Sequence, residues 1–245
     1  MDGGDISGEG EEFRRIILIT GTPGVGKHTV ARALQSRMEQ AGDAGWQIVD
    51  INEVARAEGL LDAAGGYDPA SDTTDVDANT LSDAARGALA APGRYIVVGH
   101  LAPYVVPADD VILAAVLRRN PYELIRVYEE REYSERKAKE NAGAEMLGTI
   151  SFDTYAARYG ATGQYDTTGR GAQETARVIL ADVGRLCRGG GSGDGDGLAP
   201  QSASPDSSDT GGTWEPGERI GWHADKTSYE KMLRDIMPGW PGGTV

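Results

Sequence analysis

A length of 245 residues is enough to bury a core without a disulfide or metal staple, and the single cysteine, Cys187, has no internal partner. Thirty-eight acidic residues against five lysines and nineteen arginines give a net charge of −14, which argues against nonspecific or direct DNA binding, since that needs a basic stripe. No apolar run approaches the roughly 20 residues that span a bilayer, and the opening MDGGDISGEG lacks a secretory signal's basic and apolar regions, so a cytoplasmic protein without a membrane partner is expected.

Residues 1–13 are acidic, rich in glycine and aperiodic, and are expected to be disordered. Arg14 to Thr20 then reads as a short buried strand ended by glycines. From Lys27, Val30, Leu34 and Met38 recur at helical spacing until Gly42, which suits a helix end. Trp46–Asp50 reads as a second strand, followed by a helix with Asn52 as its N-cap and Glu53 in its first turn. Residues 59–78 read as an acidic loop. Asp77 and Asn79 precede a helical stretch from Leu81 to Leu89 that stops at Pro92-Gly93.

Tyr95–Val98 and Val111–Leu117 read as strands separated by a turn with two prolines. Pro121 suits the first turn of a helix reaching Arg131, and a charged helix is expected from about Ser134 to Tyr155. Gln164–Thr167 and Gln173–Leu186 read as the last strand and closing helix. Strands alternating with helices predict an α/β three-layer sandwich around a central parallel sheet, over residues 14–187. Residues 188–212 have the Gly, Ser, Asp and Pro content of a flexible linker. The tail, 213–245, holds three tryptophans and a helical piece at Ser228–Ile236, too short for a core of its own; it must dock on the domain, bind a partner or stay loose, and its tryptophans favour partner docking.

Gly21, Gly26 and Lys27 meet the pattern G-x-x-x-x-G-K, with Pro23, Gly24 and Val25 inside the loop. Glycines let several backbone N–H groups turn inward while the following helix aims its positive end at the same place, so strand, loop and helix together make a phosphate cradle. Lys27 would reach the β- and γ-phosphates of ATP. The position after it, usually Ser or Thr with a hydroxyl for Mg²⁺, is His28. Imidazole is a poor ligand for a hard cation, and Thr29 points about 100° away on a helix, so Mg²⁺ would be held mainly by phosphates and water, or catalysis is weakened. His28 could equally pack on the helix.

Residues 16–182 resemble the small adenylate kinase family of archaea and the eukaryotic nucleus, called CINAP-like. The resemblance rests on the Gly21–Lys27 loop, Asn52-Glu-Val-Ala-Arg56 followed by Tyr67-Asp68, Gly99-His100, Leu117-Arg118, and Arg131-Glu-Tyr133-Ser-Glu-Arg-Lys137 followed by Asn141 and Glu145. It implies a P-loop NTPase fold of the nucleoside-monophosphate kinase type, with a monophosphate-binding segment over about 50–74 and a lid over 130–140. It implies ATP contacts at Gly24, Gly26, Lys27 and Thr29, and transfer to a nucleoside monophosphate, AMP favoured. It also links the chain to small ribosomal subunit maturation, hence to a small-subunit ribosomal protein as partner and to an ATPase activity.

Phosphoryl transfer needs placed cations, so arginines are the expected catalysts. Arg131 and Arg136 in the lid could grip phosphate oxygens, although Arg136 could equally sit on a solvated helix face. Arg118 follows a strand's carboxyl end, where ligands bind, but its neighbour Arg119 could be the functional one. Arg56 could pair with the acceptor phosphate or form a surface salt bridge. His100 could orient a water or phosphate or be structural. The related family has a carboxylate two residues before that histidine, and Val98 stands there. Asp75 and Asp77 read as an acidic loop and helix cap rather than as catalytic carboxylates. An ATP-gated assembly factor, a nucleotide binder without turnover, and other small-molecule P-loop kinases are the competing functions. The anionic, lysine-poor composition is that of a halophilic cytosol.

Overall fold

Strand β1 (Arg15–Thr20) lies at the centre of a wholly parallel sheet with β2 (Trp46–Asp50), β5 (Arg94–Val98), β6 (Val111–Arg118) and β7 (Thr162–Asp166), in the order β2-β5-β1-β6-β7. The computed structural model describes residues 14–60, 67–68, 73–74, 76–189, 231–232 and 234–236. Side chains alternate across a strand, so Ile17 and Ile19 enter one core with Ile96, Val98, Leu113 and Leu117, while Ile16 and Leu18 enter another with Tyr95, Val97 and Ala114. The first core is closed by α1 (Lys27–Gln40), α5 (Pro121–Glu130), α6 (Glu135–Leu147) and α8 (Ala172–Gly189). The second is closed by α2 (Ile51–Ala57), α3 (Ala78–Ala88) and α4 (Ala102–Val105). Both faces of the sheet are therefore covered, which is why the central strands are continuously apolar, and the expected three-layer α/β sandwich is present.

Local chemistry moves several boundaries. Helix α2 is capped two residues earlier than expected: Asp50 Oδ1 accepts from Asn52 N at 2.8 Å, so the capping side chain is Asp50 and not Asn52. Asp77 caps α3 by accepting from Thr80 N at 2.8 Å, in keeping with a cap; Asp75 lies outside the described residues. The expected loop at 59–78 contains the antiparallel pair β3 (Tyr67–Asp68) and β4 (Thr73–Thr74). The expected two-proline turn holds the four-residue α4, because Pro103 suits a first helical turn.

The charged helix expected over 134–155 is two helices. Gly148 adopts φ 70°, ends α6 and starts α7 (Thr149–Ala156), since a left-handed residue cannot continue a right-handed helix. Residues 231–232 and 234–236 of the tail are helical and pack against the first core, with Met232 3% and Ile236 2% exposed. Tyr122 Oη donates to Asp235 Oδ2 at 2.8 Å, which ties them to the start of α5. The expected disordered N-terminus (1–13), the linker from residue 190 and the three tail tryptophans lie outside the described residues. Among the described residues no helix is long and apolar enough to cross a membrane.

Candidate functional site

The loop between β1 and α1 lies at the carboxyl edge of the sheet, where open α/β sheets hold their ligands. Gly21 takes φ 134°, and a Cβ there would stand 2.3 Å from the backbone oxygen of Leu117. Only glycine permits that approach of β1's end to β6. Gly21→Ala is therefore expected to lower stability by at least about 1–3 kcal/mol from backbone strain alone, read as a fall in the thermal midpoint by circular dichroism. Gly24 takes φ 90°, with a virtual Cβ 3.0 Å from the Tyr128 ring, so α5 packs directly beneath the loop.

Five hydrogen bonds from four side chains fix the loop further. Tyr128 Oη donates to Pro23 O at 2.5 Å, Thr167 Oγ1 donates to Val25 O at 3.1 Å, and Thr22 Oγ1 donates to Glu145 Oε2 at 2.6 Å. Lys27 Nζ donates to Gly21 O at 2.7 Å and Thr22 O at 3.0 Å. The N-cap of α1, Gly26, has no side chain to cap it, and the first turn holds no acid. The first N–H groups of α1 are thus left for an outside acceptor, at the positive end of the helix dipole.

Two cavities open on this loop and share Gly26 and Thr29. One, of about 610 Å³, is lined by loop residues together with Lys27, His28, His100, Arg131, Tyr133 and Lys137, and among the described residues no carboxylate lines it. The other, of about 640 Å³, is lined by Val25 and by Arg119, Arg126 and Arg170 together with Glu123 and Glu130. Each is of the size that takes a small ligand. The first of them, a cationic cleft in a chain of net charge −14, is a site for an anion.

Burial pulls the Lys27 ammonium down to about 8, against the upward pull of Glu145 and Asp50. His100 is pulled down to about 4, first by burial and then by the Lys27 ammonium, so it is neutral at physiological pH and can act only as a neutral donor or acceptor. Arg131 caps α5 at the cavity wall, and next to it Tyr133 stacks on Tyr128 with centroids 5.4 Å apart. Lys137 Nζ lies 4.8 Å from the Tyr133 ring centroid.

Three arginines read from the sequence as candidates stand elsewhere. Arg118 is 3% exposed, and its guanidinium donates to Glu145 Oε1 at 2.6 Å, Gln164 Oε1 at 2.6 Å, Ser151 Oγ at 3.1 Å and Glu145 O at 2.8 Å. Occupied in this way, and absent from both cavity linings, it is a structural group and not a phosphate clamp. Its neighbour Arg119 is the one that faces a cavity. Arg56 is exposed and pairs with Glu53 at 2.5 Å, the surface salt bridge that was the alternative reading. Arg136 pairs with Glu140 at 2.8 Å on an exposed helix face.

His28 does not simply pack on its helix: its Nε2 donates to Asp50 Oδ2 across 2.5 Å. Val98 is fully buried at the end of β5. Asp50 and Glu145 carry site geometry that sequence reasoning left without a role. Glu145 stood in the family spacing, and Asp50 was visible only as a strand's last residue.

Residues 17–148 match the family described as AAA domain. The chain is 32% identical over 166 residues to a protein of Thermococcus onnurineus (strain NA1), which covers 67% of this chain and 82% of that one. It is 33% identical over 166 residues to one of Pyrococcus furiosus, with the same shares of 67% and 82%. It is 32% identical over 178 residues to one of Methanothermobacter thermautotrophicus, covering 72% of this chain and 95% of that one. All three relatives bear the name "Putative adenylate kinase".

Proposed function

The chain belongs to the AAA-domain family, as a P-loop protein of the kinase type, and from that premise we propose that it transfers the γ-phosphate of ATP to a nucleoside monophosphate, with AMP the favoured acceptor. The observation that carries the reading is the 610 Å³ cleft lined by Lys27, His28, Arg131 and Lys137, with no carboxylate among the described residues that line it, joined at Gly26 and Thr29 to a second cavity. A triphosphate and a monophosphate brought together need that much positive charge, and the second cavity leaves room for a nucleoside beyond the phosphates.

In this reading the loop amides of Gly21, Gly24 and Gly26 and the first turn of α1 cradle the triphosphate, and Pro23, Val25 and Thr29 shape the walls. Lys27 exchanges its two carbonyl partners for phosphate oxygens, so its charge moves from backbone to ligand without being built anew. Arg131 closes from the lid and stabilises the charge spread over the transferred group, and His100 orients a phosphate oxygen or water as a neutral imidazole. Lid closure excludes water and suppresses hydrolysis. Mg²⁺, which the family implies, would neutralise phosphate charge. Its donors would be phosphates and water in the main, because His28 is a nitrogen ligand already engaged and Val98 offers no donor.

The resemblance read from the sequence supports a place in small ribosomal subunit maturation, with a ribosomal protein as partner, and the lone cysteine supports the cytoplasm as compartment. His28 and Val98 favour a second reading, in which weak turnover makes the chain an ATP-gated assembly factor. ADP formation, followed by coupled assay, is expected to rise severalfold on adding AMP to ATP. Equal rates with and without AMP would exclude the kinase in favour of the ATPase switch, and ATP binding without turnover would exclude both enzymes.

A further inference from the structure

We propose that the helical turn near the C-terminus, residues 231–232 and 234–236, is a strap on α5 whose docking is coupled to nucleotide in the two cavities, so that each makes the other more favourable. The inference rests on the kinase reading only for the choice of ATP as the ligand.

The strap has a buried side and a polar rim. Met232 and Ile236, four residues apart and so on one face of a helix, are 3% and 2% exposed and join the same core as α1, α5 and α8. On the rim, Asp235 Oδ2 accepts from Tyr122 Oη at 2.8 Å and from Lys231 Nζ at 3.0 Å, while Lys231 Nζ lies 5.5 Å from the centroid of the Tyr122 ring. Tyr122 is the second residue of α5, so the strap grips that helix at its first turn.

The flank and far end of α5 shape the site. Tyr128 Oη donates to Pro23 O at 2.5 Å, and a Cβ at Gly24 would meet Tyr128 at 3.0 Å and Leu124 at 3.2 Å. Glu123, Arg126, Val127 and Glu130 line the 640 Å³ cavity, and Arg131, the C-cap, lines the 610 Å³ cleft. A ten-residue helix is about 15 Å long and moves as a rod, so a shift of its first turn is felt beneath the phosphate loop. Within the domain that turn is held by the burial of Pro121 and by Asn120, whose Oδ1 accepts from Tyr122 N at 2.9 Å and whose N donates to Thr168 Oγ1 at 2.9 Å. The strap adds a hold from outside the domain.

Docking is close to balanced, as a coupled element must be. It buries two apolar side chains and fixes the backbone of a whole turn, effects of similar size and opposite sign. The rim contacts sit at exposed positions, where ion pairs and cation–π contacts contribute little. A ligand that prefers one of two nearly balanced states shifts the population toward it. With the strap docked, α5 lies under the loop and both cavities are formed, so ATP favours that state, and by linkage the docked strap tightens ATP by the same factor. Emptying the site frees Met232, Ile236 and the apolar surface they cover.

Hydrogen exchange by mass spectrometry on the full chain, with and without the non-hydrolysable β,γ-imido analogue of ATP, reads one direction: peptides containing 231–236 should exchange several-fold more slowly when the analogue is bound. The double variant Met232→Asp with Ile236→Asp, which drives the strap off the core, reads the other. Its Kd for the analogue, by calorimetry, should rise about fivefold or more. Tyr122→Phe, which keeps the ring and removes the bond to Asp235, should raise Kd less, and Met232→Leu, which keeps the apolar volume, should leave it at the wild-type value. A double variant whose strap exchanges freely while Kd stays at the wild-type value overturns the coupling. So does wild-type exchange over 231–236 that is the same with and without the analogue, a result that decides even where the double variant does not fold. Neither outcome touches the kinase reading, which the AMP-stimulated rate tests, whereas a wild-type chain that binds no nucleotide overturns both.

Discussion

Lys27→Met is expected to abolish most of the affinity for ATP and at the same time to make the nucleotide-free protein more stable. The affinity term is that of a charge-assisted hydrogen bond to phosphate in a water-poor cleft, about 1.5–3 kcal/mol or roughly 10- to 150-fold in Kd. The stability term has the opposite sign. Lys27 is 7% exposed, and burial lowers it from 10.5 to about 8, so keeping it charged at neutral pH costs on the order of 3 kcal/mol. Its two carbonyl bonds offset only part of that.

The pH dependence follows from the same depression. Between about 8 and 10.5 the unfolded chain holds the Lys27 proton and the folded chain has lost it, so the folded state gains stability as pH rises through that window. Urea midpoints should therefore show the Lys27→Met variant ahead of wild type at pH 7, with the gap closing toward pH 10. ATP affinity of the wild type runs the other way. It is full below about 8, where the ammonium is present, and falls above it, although bound phosphate pulls the pKa up and delays the fall. An ATP titration series across pH 7 to 10 checks both directions, and equal wild-type and variant Kd at pH 7 would remove Lys27 from the site.

How much of this could be read from the sequence differs between elements. β1 and the loop after it were legible because they form a local pattern, an apolar run ended by glycine and then helical spacing from Lys27, and the other sheet strands were legible as short runs set between helical stretches. The break at Gly148 was not, since a glycine in a charged helical pattern is tolerated as often as it terminates, and only its left-handed φ decides. Arg118 misled for a related reason. A strand's carboxyl end is the right address for a phosphate ligand, but whether a guanidinium points at the cavity or beneath it depends on Gln164 and Glu145, which lie 46 and 27 residues away. Asp50 stayed hidden because its partner at position 28 comes from another element. Nothing local says that a strand-ending aspartate reaches across to a helix's first turn.

Glu145→Ala is expected to be the most destabilising single change in the site, by about 3–5 kcal/mol, because it leaves a buried arginine without its carboxylate. Glu145 and Arg118 are 2% and 3% exposed, and Glu145 accepts from Arg118 Nε at 2.6 Å, Arg119 N at 3.1 Å and Thr22 Oγ1 at 2.6 Å. Losing it strands three donors on two different elements, the end of β6 and the phosphate loop. Against the 5–15 kcal/mol that holds a typical domain together, that is a large share, visible as a fall in the urea midpoint. Glu145→Gln keeps an acceptor for Thr22 or Arg118 but removes the charge, and should fall between. The double variant Glu145→Met with Arg118→Met is expected to recover much of the loss, since replacing both partners removes the uncompensated charge. If the two single changes were merely additive in that cycle, the pair would not be coupled. Thr22→Val isolates the functional branch: it should cost about 1 kcal/mol in stability yet weaken ATP binding measurably, because Thr22 is where this buried network takes hold of the loop that faces the phosphate.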